Sequence, residues 1–257
     1  MKSVRLFFVS WLFHLKGLTN SLFFVLISII QPLIFASIAF YMAESGKRSG
    51  SLLYVALGAG LMGIWSSTLF GSGGAIQWQR WQGTLELIVA SPASFMLVLV
   101  PLTLATATLG LYSIGATLLW GHLFFGVPLD IAQPAEFVLS LVVTVGSLGL
   151  LGLVLASSFV LYRQASAFSN LLEYPVWLIT GLLVPLSLLP GWVLWISWAI
   201  APTWGIKAIR AAAFGDVSPW PAIGMCVLLG AIYLALGSIL LRNFERLARE
   251  RATLSLT

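Results

Sequence analysis

The sequence predicts an all-α integral membrane protein with six transmembrane helices, and three observations carry that reading. Of the residues, 60% are hydrophobic and 8% are Asp, Glu, Lys or Arg, against roughly 25% charged in an ordinary soluble domain. The mean hydropathy is +1.02. Apolar runs long enough to span recur along the chain, a span needing about 20 residues at ~1.5 Å rise to cross ~30 Å of hydrocarbon. Residues 1–257 read as one membrane domain.

The elements follow in order. Residues 3–16 interleave Arg5, His14 and Lys16 with Leu6, Phe7, Phe8, Trp11, Leu12 and Phe13. That stretch is too short and too charged to cross, and it reads as an interfacial helix. The first span is 21–43, with Pro32 inside it and a kink or a locally freed carbonyl expected there. A polar loop, 44–50, leads to the second span, 52–76. Gly58, Gly60, Gly63, Ser66, Ser67 and Gly71 make that span thin, so it is expected to pack closely on other helices. Ser91 and Pro92 give an N-cap and a first-turn proline for the third span, 93–125, which is over-long and expected to protrude or to break near Pro101. Pro134 and Glu136 open the fourth span, 134–161, and the fifth is 169–186. Residues 187–220 are apolar but broken by prolines and carry Trp192, Trp195, Trp198 and Trp204. Pieces too short to cross predict an outer re-entrant hairpin. The sixth span is 222–241, followed by a charged helical tail.

Orientation follows from Lys and Arg. With the N-terminus inside, Lys2, Arg5, Lys16, Arg80, Arg163, Arg242, Arg246, Arg249 and Arg251 face inward, and Lys47, Arg48, Lys207 and Arg210 face outward. That excess places both termini in the cytoplasm. The net charge of +5 is scattered, forms no nucleic-acid patch, and suits lipid head groups. Cys226 is the single cysteine and reads as a packing residue. No small-residue cleavage site ends a short apolar core near the N-terminus, so no signal peptide is read.

Catalytic chemistry has no candidate residues. There is no phosphate-binding loop, HExxH or CxxC, and no metal site. Ser72 and His122 fall near opposite ends of their spans, too far apart for a nucleophile and base. The middles of the spans read as free of ionisable residues, which speaks against ion coupling. Glu173, a few residues into the fifth span, is the nearest exception. It reads either as an interfacial carboxylate near the cytoplasmic head groups or as a partner for Arg80 or Arg163.

The segment Gln79-Arg80-Trp81-Gln82-Gly83-Thr84-Leu85-Glu86-Leu87-Ile88-Val89-Ala90-Ser91-Pro92 is polar and cytoplasmic on this topology, the place where an external engine could push. It resembles the region after the second span of ABC-2 type transporter permeases, nearest to the drug and antibiotic exporters. Gly181 to Trp192, Ala201-Pro202-Thr203-Trp204 through Arg210, and Gln31-Pro32-Leu33 resemble other parts of that family, so the likeness covers essentially the whole chain. One departure is local: Gln79-Arg80-Trp81-Gln82 stands where many members carry an acidic residue.

The resemblance implies a permease subunit without its own nucleotide site or enzymatic activity. It would pair with a second permease chain, like or unlike, and bind two ATPase subunits that carry ATP and Mg. It implies a coupling helix between spans two and three, with Gln79, Arg80, Trp81, Gln82, Gly83, Thr84, Leu85 and Glu86 as the ATPase contact. The proline-broken, tryptophan-rich stretch itself reads either as an outer gate, with Pro190, Trp192, Trp195 and Trp198, or as plain interface anchoring. The implied location is a bacterial or archaeal plasma membrane, and the implied cargo a hydrophobic or amphipathic, drug-like molecule. Polysaccharide or lipid-linked glycan export is the neighbouring alternative. A passive channel or ion-coupled carrier, and a structural membrane protein, are alternatives of other classes.

Overall fold

The computed structural model describes residues 2–45, 51–81, 83, 96–159 and 165–251. Among them there are ten α-helices, one 3-10 turn and no strand. The helices are α1 (Lys2–Asn20), α2 (Leu22–Ser45), α3 (Leu52–Trp81), α4 (Met96–Leu109), α5 (Leu111–Phe125), α6 (Pro134–Phe159), α7 (Ala165–Ile179), α8 (Gly191–Trp198), α9 (Ala201–Phe214) and α10 (Trp220–Arg251). Five stretches are long and apolar enough to cross a membrane: 24–42, 52–74, 96–125, 134–158 and 220–243. The fifth expected span corresponds to α7, which ends at Ile179. At 15 residues it is about 22 Å long, shorter than the hydrocarbon core.

α3 is the centre of the bundle. In its apolar window 78% of the residues are buried, against 24% for α2. It packs against α2, α4, α5, α6, α7 and α9. Burying a helix on most sides in lipid requires close backbone approach, because lipid tails are as apolar as the side chains and supply no hydrophobic drive between helices. The glycines supply that approach. A Cβ on Gly60 would lie 2.6 Å from Ile114 Cγ1 on α5. One on Gly63 would meet Ser113 Oγ of α5, and Pro32 Cγ of α2 at 2.5 Å. Hydroxyls then bond across the narrow gaps: Ser113 Oγ donates to Gly60 O at 2.7 Å and Ser67 Oγ to Thr106 O at 2.8 Å.

The expected break at Pro101 is corrected. Pro101 is buried inside the continuous helix α4, and the interruption falls at Gly110 between α4 and α5. A Cβ on Gly110 would sit 2.6 Å from Ile64 Cα, so glycine is set there by contact with α3. Pro32 likewise lies within one continuous helix.

The N-terminal helix runs to Asn20, and Ser21 alone separates it from α2. Phe7 packs against the cluster of Leu99, Val100, Leu153, Ala156 and Leu241, while Val4, Phe8, Leu12 and Phe13 are exposed. Residues 187–220 form the short helix α8, the buried helix α9 and a loop. Ala132 and Gln133 N–H groups donate to the last carbonyls of α9, Ala213 O and Ala212 O, each at 3.0 Å. Tyr233 of α10 ties down the junction of α8 and α9: its hydroxyl donates to Ala199 O at 2.8 Å and accepts from Ala201 N at 3.1 Å. Cys226 is buried and free.

The α3 contact can be tested. Gly63→Ala forces the α2 and α5 backbones apart and should cost about 1–3 kcal/mol, the usual penalty for overpacking. Gly224→Ala, with nothing within 4 Å of the added Cβ, should be neutral or stabilising. Thermal unfolding of both variants in detergent measures the difference, and equal midpoints would contradict the close packing.

Candidate functional site

The two buried acidic or basic side chains among the described residues, Glu173 and Arg210, mark two sites. The first is a cavity of about 440 Å³ lined from α1, α2, α3, α4 and α7. Glu173 of α7 lies on its wall and is 2% exposed. Its Oε1 accepts from Gln31 Nε2 of α2 at 3.0 Å and from Ser66 Oγ of α3 at 2.6 Å. Gln31 lies about nine residues, or ~13 Å, from the start of α2, and Ser66 lies well inside the apolar window of α3. The carboxyl is therefore level with the middle of the helices that hold it. This corrects the reading of bare span interiors, and the reading of Glu173 as a carboxylate at the head groups. The described lining residues include no Lys, Arg or His. Arg163 lies outside the described residues, as does the side chain of Arg80.

Local sequence explains the geometry. Gln31 precedes Pro32 and Glu173 stands two residues before Pro175, so both polar groups lie where a proline removes a backbone N–H from the helix ladder. The wall is aromatic: Phe24, Phe70 and Tyr174 line the cavity, and behind Tyr174 its ring contacts Trp177 at 5.1 Å between centroids. Small residues of α3, Gly63, Ser67 and Gly71, leave the space.

The second cluster pins the hairpin. Arg210 of α9 is 9% exposed. Nη1 donates to Gly181 O at 2.8 Å, and Nη2 to Tyr54 O at 3.1 Å and Leu182 O at 3.3 Å. The guanidinium also stacks on the Tyr54 ring, 3.3 Å from its centroid. Gly181 has φ +82°, a left-handed conformation natural to glycine, and the turn there presents the two carbonyls. Arg210 is thus no outer-loop cation, and the asymmetry of Lys and Arg loses one outer charge. Lys207, one helical turn earlier, lies over the Trp204 ring at 4.5 Å, and its burial lowers its pKa below the ordinary lysine value.

The residues singled out in the sequence fall as follows. Gln79, Arg80 and Trp81 form the end of α3, which continues beyond the expected limit of the second span. Gly83 is an exposed turn residue with φ +67°. Gln82, Thr84, Leu85 and Glu86 lie outside the described residues. Pro190 precedes the first residue of α8, and Trp192, Trp195 and Trp198 are 68%, 76% and 53% exposed. Trp198 lies between Trp195 and Trp204, with ring centroids 6.4 Å and 6.0 Å away. Ser72 lies within 3.3 Å of the Thr106 hydroxyl, and His122 bonds Val127 O at the far end of α5. Sequence reasoning missed Gln31, Ser66 and Glu173 as a cluster, and Arg210 as a pin. The available signal was the pairing of polar residues with prolines inside apolar runs.

Arg210→Ala leaves three carbonyls without their donor and should lower stability by about 2–3 kcal/mol. It should also expose residues 215–219 to added protease. Arg210→Lys should rescue only part of this, since an ammonium cannot reproduce the planar fork. Limited proteolysis with mass spectrometry reads the effect, and unchanged cleavage would show that the pin is not needed.

A family model described as ABC-2 type transporter matches residues 59–214, from α3 through α9. No curated protein matches the chain.

Proposed function

The chain belongs to the ABC-2 type transporter family, and from that premise we propose that it is the permease subunit of an ATP-driven exporter of hydrophobic or amphipathic, drug-like molecules. The family match over more than half of the chain carries this reading. The chain is a multi-pass membrane protein and a permease of an ABC transporter, a context that implies ATPase partners. Two ATPase subunits, a second permease chain, and ATP with Mg on the ATPases complete the proposed assembly. Its place is the bacterial or archaeal plasma membrane. α7 supplies the sixth crossing together with the turn that follows it, and both termini lie in the cytoplasm. An interior lined by aromatic rings and hydroxyls suits an amphipathic cargo better than a glycan, which needs many hydrogen-bonding partners. The bare span interiors expected from the sequence no longer argue for an external engine, because Glu173 is buried there. The family assignment argues for it instead.

On this proposal residues 79–86 receive the force of the ATPase. α3 runs unbroken to Trp81, so a push at its end is delivered to the helix that touches most of the bundle. Exposed ion pairs contribute only about 0–1 kcal/mol, so Glu86→Ala alone should be mild. Changing Trp81 and Leu85 to alanine as well removes the apolar anchors that dominate interfaces. The triple variant, reconstituted with the ATPase that co-purifies from native membrane, should fold and pair but hydrolyse ATP without export. Normal coupled export by that variant, or transport by the chain alone without ATP, would overturn the proposal.

Orientation has its own test. Cysteines at Ser49 and Gln82 in a Cys226→Ala background should react with an impermeant reagent from opposite sides of the membrane. Labelling from one side would overturn the topology.

A further inference from the structure

We propose that the cavity at Glu173 recognises the cationic head of a lipophilic substrate, an amine or onium group on an aromatic or aliphatic body. The inference rests on the permease reading and names the substrate class for it.

An ionisable side chain at mid-membrane level is costly to keep and must be offset. The two described bonds to Glu173 both end on Oε1, and they leave Oε2 to other partners. Both partners donate to an acceptor oxygen. The described lining offers no cationic side chain, and a cationic occupant would supply the counter-charge. Among the described residues no group of three His, Cys, Asp or Glu could hold a metal ion, and one carboxylate falls well short of the ligand number that a hard divalent cation takes. An organic cation needs less: one counter-charge and ring faces. Phe24, Phe70 and Tyr174, from three helices, also line the cavity, and a cation over a ring face gains further attraction. The volume of about 440 Å³ lies within the usual ~300–1,000 Å³ of small-molecule sites.

The test uses the purified full chain in detergent, without ATPase or ATP, so its outcome is separate from that of the export assay. The probe is radiolabelled tetraphenylphosphonium, and the control is tetraphenylborate, of similar shape and opposite charge. Saturable binding of the cation is expected, with little displacement by the anion. Glu173→Gln should weaken it about tenfold or more, the cost of losing a charge-assisted contact, and Glu173→Asp should retain much of it. Displacement by short-chain phosphatidylethanolamine would assign the cation to a lipid headgroup, and its absence to a free amphiphile. Should Glu173→Gln fail to fold, dicyclohexylcarbodiimide labelling of Glu173 in the unaltered chain gives a second reading. Tetraphenylphosphonium should slow it and tetraphenylborate should not. No saturable binding, equal affinity in a folded Glu173→Gln, or equal protection by both ions overturns the proposal.

Discussion

Close backbone approach along α3 is the constraint on which the rest of this molecule depends. In water, a helix is buried because its apolar face leaves solvent. In lipid that gain is absent, and helices stay together through van der Waals fit and hydrogen bonds across narrow gaps. Gly60 and Gly63 let Ile114, Ser113 and Pro32 reach the α3 backbone. Once the gap is that narrow, the hydroxyl of Ser113 reaches a main-chain carbonyl on the opposite helix. The same helix carries Ser66 toward Glu173 and Tyr54 toward Arg210. Both buried ionisable clusters are therefore held by one rigid element, and neither survives a shift of α3 unchanged.

α7 is the link between the two clusters. It carries Glu173 in its middle, and the turn just beyond its end presents Gly181 O and Leu182 O to Arg210. A short helix with Pro175 between those points has one fewer backbone hydrogen bond to hold it straight. The guanidinium has no carboxylate partner in these contacts. Main-chain carbonyls accept from Nη1 and Nη2 instead, two from the turn and one from the first turn of α3, while Nε is buried without a hydrogen-bond partner. The hairpin is thus fastened through the end of the helix that bears the cavity carboxyl, while Trp192, Trp195 and Trp198 stay on its exposed side.

Much of this was legible in the sequence, and the exceptions share a cause. Long apolar runs report helices because each contains enough residues to cross a bilayer, and the polar joints at 126–133 and around Ser21 mark where they end. The glycines of the second run announce a closely packed helix before any partner is known. The phase of one helix against another is not local information. Glu173 is three positions from Asn170, which is exposed, and nothing in the order of residues says which of the two meets Gln31. Arg210 looked like a loop cation because two of its carbonyl acceptors come from a turn some thirty positions earlier and the third from the start of α3. Pro101 misled for the opposite reason: proline breaks a helix only where nothing else holds it, and here α4 is packed on three neighbours. The segment read as the ATPase contact gains little, since only Gln79, Arg80, Trp81 and Gly83 fall among the described residues.

A carboxylate that binds a cation tightly in a dry cavity must also be able to let it go. Two unit charges about 4 Å apart attract by ~4 kcal/mol at an effective dielectric of 20, and by ~1 kcal/mol in water. Admitting water to the cavity therefore weakens the attraction severalfold without moving the carboxyl. The Gln31 and Ser66 hydrogen bonds tie Glu173 to α2 and α3, so separating α2 from α7 would both wet the site and remove a donor from Oε1. α2 is the least buried of the long apolar helices. On the proposed coupling at residues 79–86, a push along α3 that parts α2 from α7 would turn a recognition site into a release site.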